Sequence, residues 1–99
     1  MGKWSLEKIS KSTRYDKKLM AVFINNRTGR TKTTHFGAAN YSDYTIHKDL
    51  ERKKRYLKRH RNNENWNDPT TAGALSRWIL WNKPTLRGSI KDYKRRFKF

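Results

Sequence analysis

Cysteine is absent from this chain, which excludes a disulfide framework and any thiolate metal centre, so stability must come from packing or from a partner. Proline occurs only as Pro69 and Pro84, positions suited to starting one helix and stopping it. No run approaches the roughly 18 apolar residues of a membrane-spanning helix, and Met1 to Ser10 lacks the apolar stretch of a signal peptide. The expectation is a protein that is not secreted. Acidic residues are scarce: eight Asp and Glu stand against 25 Lys and Arg among 99 residues.

That shortage leaves a formal charge of +17 and a sequence pI near 10.7. Charge so far from zero exceeds what solubility requires and marks proteins that live against nucleic acid or another anionic surface. An apolar fraction of 33% would permit disorder, yet four Trp, five Tyr and four Phe carry enough aromatic surface for a core. One small folded domain is expected over residues 1–99.

The order of elements follows from local patterns. Trp4 to Ser10 alternates weakly, although Leu6 with Ile9 also suits a helical turn. Lys18 to Asn25 is rich in β-formers and runs into Asn26-Arg27-Thr28-Gly29-Arg30, which has hairpin chemistry. Thr31 to Phe36 returns as a partner with one half-polar face. These features predict an α+β fold: a β-rich part over residues 1–36, as a hairpin or three-stranded meander, followed by helices over 42–61, 69–82 and 85–97. Ser42 or Asp43 can cap the first helix, Asp68 with Pro69 the second, and Thr85 the third.

Two of these helices carry cationic lines. Lys48, Arg52, Arg55 and Arg59 recur at i, i+4, i+7 and i+11 and fall within roughly 60° of one another, opposite Ile46, Leu50 and Leu57. Arg87, Lys91, Lys94 and Lys98 repeat the spacing beside an apolar stripe of Leu86, Ile90, Tyr93 and Phe97. Like charges aligned in this way repel unless a polyanion lies along them. The eight cations are therefore the candidate nucleic-acid-binding residues. Phosphate contacts are expected to dominate, because no set of Asn and Gln accompanies them for base reading.

Catalytic and metal patterns are weaker. His35, His47 and His60 match no ligand spacing, and Asp43 with His47 is better read as a packed, hydrogen-bonded histidine than as a metal pair. His60, Asn62, Asn63 and Glu64 lack the flanking pattern of a nuclease. The acids are scattered singly among cations, so no catalytic residue, metal or cofactor is assigned and no enzyme is expected. Trp78 and Trp81 lie in the most apolar segment and are read as core. Trp66, in the polar run Asn65-Trp66-Asn67, is the candidate partner contact. Membrane contact ranks third, since each apolar stripe is needed internally.

Four runs also have a familiar wording: His35-Phe36-Gly37-Ala38, Tyr41-Ser42-Asp43-Tyr44-Thr45-Ile46-His47-Lys48-Asp49, Arg59-His60, and Thr71 through Thr85. Together they resemble a family of small basic proteins of unknown function encoded by large DNA viruses of algae and protists. The resemblance implies a viral origin, with location in the virion or inside the infected host cell. It also implies a choice between handling the genome and building the particle. A non-enzymatic protein that packages or condenses nucleic acid is the leading expectation. The alternative is a minor capsid or cement protein contacting acidic surfaces of a major coat protein.

Overall fold

In the computed structural model, residues 3–99 are described, and the expected β-rich part at Met1 and Gly2 lies outside them. Strands β1 (Trp4–Lys11), β2 (Lys17–Asn25) and β3 (Thr31–Ala38) form an antiparallel sheet in the order β1-β2-β3. The meander alternative of the sequence reading is thus the observed one. The ambiguity in β1 has a physical origin: pairing passes from Leu6↔Phe23 to Lys8↔Val22, with a register shift between them. A bulge at this point lets Leu6 and Ile9 face the same side despite their odd spacing. The turn after β2 is tied by Asn25, whose Oδ1 accepts from the backbone N–H groups of Arg27 and Thr28 at 2.9 and 3.1 Å.

One sheet face supplies Ala21, Phe23 and Phe36, flanked by Leu6, Ile9 and Leu19, and these pack with Leu75, Ile79, Leu80 and Tyr93. The polar residues of β3 on this side are not wasted. Lys32 Nζ donates to Thr70 Oγ1 at 2.9 Å and Thr34 Oγ1 to the Thr70 carbonyl at 2.8 Å, which latches the 68–71 loop onto the sheet. At the end of β3, Gly37 adopts φ +81°, and a Cβ there would meet Leu80 Cδ1 at 2.6 Å. Glycine permits both the turn and the close approach of the helical layer.

The helical layer departs from expectation in two places. The helix expected over 42–61 is two helices, α1 (Tyr44–His47) and α2 (Leu50–His60). Two aspartates cause the break. Asp43 caps α1 by accepting from Thr45 N, while Asp49 caps α2 by accepting from Glu51 N and Arg52 N. Between them Lys48 takes a left-handed conformation with φ 56°. Each helix thereby gains its own N-terminal cap, a local gain that apolar periodicity does not register. The expected apolar seam also changes: Ile46 and Leu50 are 61% and 50% exposed, and Tyr56 is the buried residue of α2.

The helix expected over 69–82 begins later. Asp68 Oδ1 accepts from both the backbone and hydroxyl of Thr70, at 3.1 and 3.0 Å, closing a turn of its own. Thr71 then caps α3 (Ala72–Leu75), which continues as one π-helical turn over Ser76–Leu80. Trp81 N–H donates to the Ser76 carbonyl at 3.0 Å across that turn. The last helix, α4 (Leu86–Phe97), has its Thr85 cap as expected.

Candidate nucleic-acid interface

Asp49 sets the phase of α2, and that phase places Tyr56 inward with Arg52 and Arg59 as its i−4 and i+3 neighbours. Tyr56 stacks on Trp81 with ring centroids 4.2 Å apart and 4° between planes. On its other side His60 stacks at 4.3 Å, and His47 lies against Trp81 at 5.4 Å. A ladder of four rings therefore fixes α2 to the end of the π turn, and burial raises the Tyr56 hydroxyl pKa above its ordinary value. Lys53 Nζ reinforces the attachment by donating to the Asn82 carbonyl at 2.7 Å. Desolvation there pulls the Lys53 pKa down.

Arg52, Arg55 and Arg59 stand exposed along the rim of this attachment. They line one cavity of about 310 Å³ together with Tyr41, Ser42 and Trp81. A second cavity of about 370 Å³ shares Tyr41, Ser42, Arg59 and Trp81 with the first and continues between the end of β3 and α3. Its lining is more apolar, with Phe36, Ala38, Ala72 and Leu80. The two form one groove, lined by three arginines at one end and, at the other, by aromatic and aliphatic side chains together with Lys17, Lys18, Asp43, His60 and Glu64. Tyr41 at its edge is 74% exposed.

Lys48 does not belong to this row. Its Nζ donates to the Thr45 carbonyl at 2.8 Å and the Pro84 carbonyl at 2.9 Å, so its charge serves the end of α1 and the loop before α4. Of the second line, Arg87, Lys91 and Lys94 are exposed on α4. Lys98 lies past its end as a left-handed cap with φ 59°, off the helical row although exposed.

The acids explain why these cations stay uncompensated. Asp43 is buried and pairs with Lys18. Asp49 and Asp68 close a cap and a turn. Asp16 pairs with Arg14, Glu51 with Lys54, and Glu64 with His60. Asp92 accepts from Asn82 Nδ2 at 2.7 Å and pairs with Arg95 and Arg96. The Asn82 hydrogen bond, followed by the two arginines, holds the Asp92 pKa down to about 2. Among the described residues, Arg52, Arg55, Arg59, Arg87, Lys91 and Lys94 have no ion pair.

Trp66 is half-buried rather than free in its loop. Its Nε1 donates to Glu64 Oε1 at 2.9 Å, and its carbonyl accepts from Trp78 Nε1 at 2.9 Å. Trp78 packs beside the core and is sandwiched by cations, with Arg77 and Arg96 at 4.1 and 3.9 Å from its ring. The Arg77 guanidinium is also 5.3 Å from Trp66 and donates to the Trp81 carbonyl at 3.1 Å. Burial lowers its pKa from the ordinary arginine value. The groove residues Tyr41, Ser42 and Trp81 escaped the sequence reading. Tyr41 looked like the end of a breaker segment before the helix, Ser42 like a helix cap, and Trp81 like core.

Sheet, broken helix and arginine groove define a small basic α+β domain with a cationic face. Residues 7–60, just over half of the chain, match the family described as Family of unknown function (DUF5754), and the protein belongs to that family. The match takes in most of the sheet and all of α2, including the three groove arginines, and stops before α3 and α4. No curated protein and no solved structure matches the chain.

Proposed function

We propose that this protein holds nucleic acid through the basic faces of α2 and α4, without catalysing a reaction, and serves in the packaging or condensation of a viral genome. One observation carries the reading. Arg52, Arg55 and Arg59 line a single groove with no carboxylate partner among the described residues, while the acids are largely spent on caps, turns and pairs elsewhere. Three adjacent guanidiniums in water are compensated best by a phosphate chain, which releases its own counterions on binding. The viral setting rests on the resemblance in the motif runs.

The test is a salt titration of binding to duplex DNA by fluorescence anisotropy. If the three arginines of α2 and the three exposed cations of α4 each neutralise a phosphate, log affinity falls against log salt with a slope of about −5. Sequence should matter little. A slope near zero would remove nucleic acid as the partner.

A further inference from the structure

We infer that the groove seats one unpaired nucleotide of a single strand, with its phosphate on Arg52, Arg55 and Arg59 and its base in the opposite end beneath Tyr41. This deepens the nucleic-acid reading and rests on it. The two cavities share Tyr41, Ser42, Arg59 and Trp81, so a single ligand can span both. Their chemistry is divided as a nucleotide is. The end lined by three arginines takes an anion, and the other end offers Phe36, Ala38 and Leu80 to the flat face of a ring and Lys17, Lys18, Asp43, His60 and Glu64 to its polar edge. A smooth duplex uses only the first end, because its bases are stacked away from the backbone.

Tyr41 is the platform available for that ring. Trp81 is already covered by Tyr56 on one side and flanked by His47 on the other, so it contributes a wall rather than a free face. Tyr41, in contrast, makes no ring contact among the described residues, and its backbone N–H donates to the Ala38 carbonyl at 3.2 Å, which holds the loop in place. An exposed tyrosine at the edge of a cationic groove gives sequence-tolerant stacking, since every base has a π-face. Sequence tolerance is also what a packaging protein needs.

The experiment compares short strands of equal length and charge by fluorescence anisotropy, one an oligothymidylate and one abasic throughout. The wild-type protein should prefer the base-bearing strand about tenfold, the worth of one stacked base. Tyr41→Ala should bind both strands equally and keep the wild-type salt slope, whereas Tyr41→Phe should retain the preference. Because Tyr41 is 74% exposed, neither change should disturb folding, and circular dichroism checks this. Equal wild-type binding to both strands, or a preference that survives Tyr41→Ala, would overturn the inference and leave phosphate binding standing. Salt-insensitive binding of both strands would instead sink the underlying reading. Thymidine monophosphate is the third probe: binding as tight as that of the strand would assign the groove to a free nucleotide and refute the single-strand assignment.

Discussion

Replacing Tyr56 with alanine should detach α2 and with it the arginine row. Tyr56 is the buried residue of α2 and is 9% exposed. Removing a buried aromatic ring costs about 3–5 kcal/mol, and the two stacks on Trp81 and His60 are each worth about 0.5–1.5 kcal/mol within that order. Other ties of α2, Lys53 to the Asn82 carbonyl and His60 to Glu64, are single half-buried hydrogen bonds worth about 1 kcal/mol each. They do not offset the loss. A cost of about 3 kcal/mol in a domain of this size lowers Tm by about 12–24 °C. Thermal melting followed by circular dichroism measures it. Hydrogen exchange should show α2 amides losing more protection than those of β2, because Tyr56 is not part of the cluster that packs on the sheet. A Tm shift under about 3 °C, or uniform loss of protection, would refute the view that the ring ladder is what positions the groove.

Further outcomes follow from the same contacts. Gly37→Ala should cost about 1–3 kcal/mol in urea unfolding, since its positive φ and the 2.6 Å approach to Leu80 both oppose a methyl group. Trp78→Ala should cost about 3 kcal/mol, whereas Trp66→Ala should cost about 1 kcal/mol, because the carbonyl that Trp78 uses survives the second change. Asp92 has its folded pKa depressed from 3.8 to about 2. Its contribution of about 2 kcal/mol is therefore present above pH 4 and lost as the pH falls from about 4 to about 2. Asp92→Asn should remove that part of the acid dependence in unfolding titrations at a series of pH values, and an unchanged acid limb would contradict the assignment.

Much of the architecture was legible from local rules. The β-formers of β2, the hairpin after Asn25 and the Thr85 cap each carry their information within a dozen residues, and the structure bears them out, with Ile90, Tyr93 and Phe97 of the apolar stripe against the core and Leu86 exposed. The arginine row was legible in part, since Arg52, Arg55 and Arg59 lie within one helix. Lys48 misled because its spacing continues the row across a boundary that Asp49 imposes. The apolar seam misled for a related reason. Leu50 and Ile46 follow the period of one long helix, but once Asp49 breaks it the inward side of α2 is the one that carries Tyr56, stacked on Trp81 25 positions away in the chain. The groove was illegible because its walls come from the 39–43 loop, α2 and the end of the π turn. No pattern along the chain joins Tyr41 to Trp81.

The arginine groove is tested most directly by Arg52→Gln, Arg55→Gln and Arg59→Gln made together, with duplex affinity measured across a salt series beside Tm. The three side chains are exposed and unpaired among the described residues, so Tm should stay within a few degrees of wild type, while the salt slope becomes shallower by about 3. A wild-type slope in a folded triple variant would contradict the account.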